Sequence, residues 1–311
     1  TASSTALPVC STGRAEMTSR AETLTMPVSR PLLGAMLMCI AMLVVPLADV
    51  VAKVLVQDGY SPLQTSFQRM TLGVLFLAPM VWMRRAEVLP HARRPLPLLL
   101  LGASILGAIT CYVLALEHLP IANTLALSFV QPFFIVILSR LLLGEAVGPL
   151  RWLIVLVGFA AVVMIIRPAA EGFQPASILP VLSGGCMAVY VIIIRKSAGT
   201  FSALATTFYT HVTSALLAAP LAFFLWKEMG AEEWLLILEL AVIGLAVQYF
   251  IIKAYELAEA SLIAPLTYTE MIGAILAGWW FFNEFPDSVT IAGTLILICC
   301  ALLTMWQGRA R

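Results

Sequence analysis

Five strongly polar side chains stand in stretches otherwise apolar enough to be embedded in lipid: Asp49, Lys53, Arg69, Gln131 and Glu270. A charge deep in a bilayer costs upwards of about 2.5 kcal/mol unless it is paired or wet, so each needs a purpose. At 1.5 Å per residue Asp49 and Arg69 fall about 7–10 Å below one membrane surface, where they can pair across a helical hairpin. Lys53 is one helical turn from Asp49 on the same face and can share that carboxylate. The trio reads either as a structural ion pair or as a site that couples to substrate or protons. Glu270 stands near the middle of its segment beside Thr267, Tyr268 and Thr269. A carboxyl group there can take up and release a proton, bind a cationic group, or stay neutral and hydrogen-bond a neighbouring helix. Gln131 reaches the same depth from the opposite side. Tyr112, Tyr190, His211, Gln248 and Tyr249, with Thr110, complete a polar set that could line a cavity for a planar or zwitterionic metabolite. Each of them alone reads equally well as a helix-to-helix hydrogen bond or an interfacial anchor.

The elements that must hold these residues follow from composition. At 61% hydrophobic and 11% charged over 311 residues, the chain has more apolar surface than a soluble core could hide. We expect an all-α integral membrane fold. Ten segments reach spanning length, at about 32–54, 62–83, 96–116, 121–143, 149–167, 174–195, 203–226, 233–255, 261–283 and 288–307. Short loops marked by Pro, Gly and charge separate them, and none could hold a soluble domain. Residues 1–30 lack the apolar core of a secretory signal and read as a disordered cytosolic tail, with Met17 or Met26 as alternative starts. Pro132 follows Gln131 mid-segment, where a proline releases backbone carbonyls. Gly102, Gly107, Gly158, Gly244, Gly273 and Gly278 permit close helix approach, and Trp279 and Trp280 suit an interfacial belt.

A formal net charge of +1 offers no field for nucleic acid. Cys10, Cys39, Cys111, Cys186, Cys299 and Cys300 show no metal-ligand spacing, so no metal, cofactor or catalytic residue is expected. Neither a Walker loop nor a GxSxG or HExxH motif occurs, which argues against ATP-driven transport and intramembrane hydrolysis.

The stretch 120–145, centred on Gln131, is echoed about 139 positions later by 259–284, centred on Glu270; Ser128 meets Thr267, Phe129 meets Tyr268 and Glu145 meets Glu284. A looser echo joins Ser61–Arg69 to Phe201–His211. Five helices per half is an odd number, so the halves enter the membrane in opposite senses. Such inverted repeats bring a substrate site to the midplane between them. With the N-terminus inside, fourteen Lys and Arg collect on that side, against Lys53, Arg167 and Lys227 outside, which places both termini in the cytoplasm. Glu145 and Glu284 close their helices on opposite faces. Because a carboxylate opposes the dipole at a helix C-terminus, each should take a partner from loop backbone or the next helix.

Each half thus carries a penultimate helix ending in Glu (LLLGE at 141–145, WFFNE at 280–284), and the first adds LGEAVGPLRWLIVLVGFAAVVMIIRP at 143–168. On these features the chain resembles the drug/metabolite transporter superfamily, EamA type, over residues 31 to 307. Asp49-x-x-x-Lys53 followed by Arg69 resembles the branch of S-adenosylmethionine and riboflavin importers. The resemblance implies two five-helix repeats, 31–168 and 174–307, in a bacterial inner membrane. The second half departs from the family pattern, with Asn283 where Gly is common and Glu270-Met271 for Glu-Pro, which leaves the kink of the ninth helix open. The function expected is secondary transport of a small organic metabolite (amino-acid-like, nucleoside-like or drug-like) by alternating access, as a monomer or homodimer, with protons as candidate coupling ion. An exchanger or importer of S-adenosylmethionine or riboflavin type is the alternative, and a non-transporting membrane subunit the second.

Overall fold

The computed structural model describes residues 30–89, 95–144, 147–167, 174–197, 201–258 and 260–309. The expected N-terminal tail, apart from Arg30, and Glu145 lie outside them. Every regular element among the described residues is helical, with no strand. In chain order, leaving aside the short turns Arg85–Val88 and Pro175–Ser177, the helices are α1 (Arg30–Gln57), α2 (Pro62–Met83), α3 (Pro95–Leu116), α4 (Ile121–Ser128), α5 (Gln131–Leu142), α6 (Pro149–Ile166), α7 (Ile178–Lys196), α8 (Ala203–Phe224), α9 (Ala231–Leu257), α10 (Glu270–Phe282) and α11 (Ser288–Arg309). A single helical turn, Ala260–Ile263, and a 3-10 stretch, Ala264–Thr269, lead into α10.

Among the described residues seven helices are long and apolar enough to cross a membrane: Arg30–Gln57, Pro95–Leu116, Ile121–Leu142 taken through its break, Pro149–Ile166, Pro175–Lys196, Ala203–Phe224 and Ala231–Leu257. Large apolar side chains such as Trp82, Leu156, Phe223, Phe224 and Trp280 point outward. In water that surface would be a severe aggregation liability; against lipid tails it is the stable arrangement. Trp279 and Trp280 share this outward exposure.

Local chemistry sets the helix ends. Ser61 and Ser202 cap α2 and α8, each side-chain oxygen accepting from a first-turn amide, Leu63 N and Ala205 N. Asp287 caps α11, accepting from Thr290 N at 2.8 Å, and its carboxylate also binds the guanidinium of Arg167, at the end of α6. Partial burial pushes the Asp287 carboxyl up, but the Thr290 bonds and Arg167 outweigh it and hold it below the usual carboxylate value. Gly144 and Asn283 follow α5 and α10 with φ of 69° and 54°. Asn tolerates this left-handed conformation better than other side chains, which explains how it serves in place of glycine.

The helices pack as α1 on α9, α3 on α7, α2 on α8, and α6 on α11, while α1 also meets α10 and α7 meets α5. The largest buried cluster lies around α4, α5, α6 and α10, with Phe133, Leu127 and Ala274 fully enclosed. Gly158 of α6 admits the Phe133 ring, which stands 2.4 Å from where a Cβ would be.

Candidate functional site

Two helices are interrupted, and the interruptions build the site. Pro132 has no amide hydrogen, so the Ser128 carbonyl loses its helical donor four residues on. The chain tightens there, with Phe129 N bonding to Leu125 O and Ala126 O at 3.2 Å and Val130 N to Leu127 O at 3.3 Å. Helix resumes at Gln131. In the second half Pro265 lies in the 3-10 stretch and helix resumes at Glu270. The kink left open by Glu270-Met271 is therefore present, placed before the glutamate rather than after it.

Gln131 and Glu270 line one cavity of about 310 Å³ together with Asp49, Arg69, Tyr112 and Ser183. Small residues let the walls close. Gly184 of α7 lies directly against the first break, where a Cβ would stand 3.0 Å from Ser128 O and 3.3 Å from Gln131 N. Gly273 of α10 lies against α1 at Pro46 and Leu43. Ser183 donates to Ala108 O at 2.8 Å, tying α7 to α3 beside the cavity. Neither Ser183 nor Gly184 was singled out from the sequence; the small-residue run Ser183-Gly184-Gly185 was the available signal.

The charges pair differently from expectation. The Tyr112 hydroxyl donates to Asp49 Oδ2 at 3.1 Å, and none of the ion pairs found among the described residues joins Asp49 to Arg69. Lys53 does not share the Asp49 carboxylate either. Its Nζ lies 2.7 Å from both oxygens of Glu284 and 3.1 Å from Leu119 O, with the Phe282 ring face 4.7 Å away. Lys53 is 1% exposed, and so enclosed an ammonium needs a full set of acceptors. One helical turn from Asp49 is also one turn further along α1, where the end of α10 comes closer than the cavity. Glu284 thus finds its partner in α1, not in loop backbone or the next helix.

Arg69 also borders a second chamber of about 250 Å³ lined by Tyr190, Thr210, His211, Gly244 and Gln248; Arg69, Ile109 and Met187 are common to both chambers. Tyr190, His211 and Gln248 therefore gather, but in a compartment next to Glu270 rather than around it. His211 Nδ1 donates to Thr207 O at 2.8 Å, since a carbonyl can only accept. Two expected residues fall elsewhere. Tyr249 is 57% exposed; adjacent helical positions point about 100° apart, so with Gln248 lining the chamber Tyr249 turns away from it. Tyr268 lines a lateral, mostly apolar crevice between α10 and α11 and packs edge-on against Phe129, ring centres 5.3 Å apart. It buttresses the cavity wall rather than lining it. The Thr110 and Asn123 side-chain oxygens are buried without a hydrogen-bond partner. Among the described residues no cluster of His, Cys, Asp and Glu could hold a metal ion.

Comparison with known proteins finds this chain similar in sequence to transporters. Residues 32–167 and 174–306 each match the EamA-like transporter family. The S-adenosylmethionine uptake transporter of Rickettsia conorii is 29% identical over 84% of this chain and 88% of its own length. The riboflavin transporter of Rhizobium johnstonii is 30% identical over 89% and 92%, and the pseudopaline exporter CntI of Pseudomonas aeruginosa 29% over 76% and 84%. A solved crystal structure superposes with a TM-score of 0.57 over 90% of this chain and 98% of that one, at 19% identity, a likeness of fold.

Proposed function

This chain belongs to the EamA-like transporter family and moves a small organic molecule across a membrane; we propose that it does so by secondary, alternating-access transport, with the substrate held in the cavity between Gln131 and Glu270. The observation that carries this reading is the pair of broken helices, each restarting at a polar residue that lines the same cavity. Half-helix termini at a repeat interface are how bilayer-embedded transporters offer backbone dipoles and side chains to a solute without exposing them to lipid.

The reading includes ten spans in two inverted halves, 31–168 and 174–307. In support, the packing exchanges under that correspondence. With α1 matched to α7, α2 to α8, α3 to α9, α5 to α10 and α6 to α11, the contact of α1 with α9 becomes that of α7 with α3. The contact of α1 with α10 becomes that of α7 with α5, while α2–α8 and α6–α11 map onto themselves. The charge distribution supports both termini on the cytoplasmic side of a bacterial inner membrane.

Asp49 and Glu270 give the cavity two carboxyl groups against one guanidinium, which favours a substrate with a cationic group or a proton taken up with it. The relatives named for S-adenosylmethionine uptake fit that balance, because a sulfonium adds a fixed positive charge. The test is uptake of labelled S-adenosylmethionine into proteoliposomes without ATP, in wild type and Glu270→Gln. Wild type should accumulate label in a manner responsive to a pH gradient, and the variant should lose that response at equal incorporation. A variant with unaltered pH-driven uptake removes Glu270 from the mechanism.

A further inference from the structure

The two chambers that meet at Arg69 differ in charge. Asp49 and Glu270 line the chamber with Gln131, while the chamber on the far side of Arg69 has no carboxylate in its lining and is furnished with Tyr190, Thr210, His211 and Gln248. The guanidinium leans toward that far chamber. It reaches α9, where Nη2 stands 3.0 Å from the point a Cβ on Gly244 would occupy, so the missing side chain makes room for it. The His211 ring forms a wall, pressed against Gly73 of α2 with its Cδ2 2.4 Å from the position of a Cβ there.

This compartment offers the guanidinium no anionic partner. Arg69 enters none of the ion pairs found among the described residues. The Thr210 hydroxyl is buried, lies beside the Tyr190 hydroxyl and closes no well-formed hydrogen bond. His211 spends its Nδ1 proton on Thr207 O. A guanidinium and neighbouring hydroxyl and amide donors around one space make a setting for a single anionic group with two acceptor oxygens.

We propose that the chamber of Arg69, Tyr190, Thr210 and Gln248 is a carboxylate subsite, and that the substrate is a small molecule whose carboxylate sits there while its cationic groups face Asp49 and Glu270 in the adjoining chamber. With both carboxyl groups ionised the two chambers together carry one net negative charge, matched by a solute with two cationic groups and one carboxylate. Arg69, at the junction, selects for the carboxylate. The assignment rests on the central cavity being the transport site, and it adds a specificity that transport alone does not require.

The test compares molecules that differ only by the carboxylate: S-adenosylmethionine with its decarboxylated form, and arginine with agmatine, binding to purified wild-type protein in lipid nanodiscs and competing for uptake in proteoliposomes. The carboxylated member of at least one pair should bind at least about tenfold more tightly, since charge-assisted bonds to a guanidinium are lost with the group. Arg69→Gln should abolish the difference and Arg69→Lys retain part of it. Because the comparison is made within wild type, a variant that fails to fold does not decide the outcome. Equal binding of both members, tighter binding of the amines, or binding of none of the four overturns the subsite. Discrimination in binding with no accumulation of label would instead leave the subsite standing and reject the transport reading.

Discussion

Gln131 and Glu270, about 139 positions apart, are each the first residue after a break in their helix, and both line one cavity. An amide and a carboxyl group thus stand at the two helix starts that border it. Each sits at the positive end of a short helix dipole, where a carboxylate is favoured and a neutral amide is indifferent. Each half of the chain thus restarts a helix at this cavity, one with an amide and the other with a carboxyl group.

The contact of the buried Lys53 with the half-buried Glu284 should dominate the stability of the end of α10. Glu284→Gln leaves a buried ammonium without its counter-charge, which costs about 3–5 kcal/mol. Replacing both residues together, as Lys53→Met with Glu284→Leu, should recover most of that loss. Denaturant unfolding of the detergent-solubilised protein measures it, and a single-variant loss under about 1 kcal/mol would show that the pair contributes little.

Gly73 and His211 are predicted to be coupled. A methyl group at Gly73 would overlap the imidazole ring, so Gly73→Ala must displace His211 from its wall at an overpacking cost of about 1–3 kcal/mol. His211→Ala should relieve most of that cost, giving a double variant less damaged than the sum of the singles. Additive effects would mean that the ring yields without strain.

The Asp287 cap makes one component of stability dependent on pH. Its carboxyl titrates below the unfolded value because Thr290 and Arg167 favour the ionised form. The contribution is therefore complete above the unfolded carboxylate pKa of about 4 and is lost as pH falls through the lowered folded value. The stability difference between wild type and Asp287→Asn should be constant from about pH 6 to 8 and shrink in acid. Both partners are more than a third exposed, so added salt should reduce the difference too. A difference that grows on acidification would reverse the assignment.

Much of the site was legible before any coordinates, for reasons that differ residue by residue. Gln131 and Glu270 could be matched because a polar residue in the middle of an apolar run is rare, and its recurrence at a fixed offset carries information. Proline chemistry placed the first break, since Pro132 must cost Ser128 its helical donor. Partner choice was not legible. Lys53 and Glu284 are 231 residues apart, and sequence spacing offered only the nearer Asp49. The separation of Glu270 from Tyr190, His211 and Gln248 into adjoining chambers depends on how α2 carries Arg69 between them, which hydropathy does not encode. Tyr249 was grouped with Gln248 by adjacency, whereas helical rotation sends neighbours to different faces.

Alternating access requires the cavity at the two breaks to open in turn to each side of the membrane. It is tested most directly by Gln131→Cys in a background with the six native cysteines replaced, labelled with a membrane-impermeant thiol reagent from each side of oriented vesicles. Labelling from both sides is expected, slowed by S-adenosylmethionine when that solute is transported. Labelling confined to one side under all solute and pH conditions would contradict it.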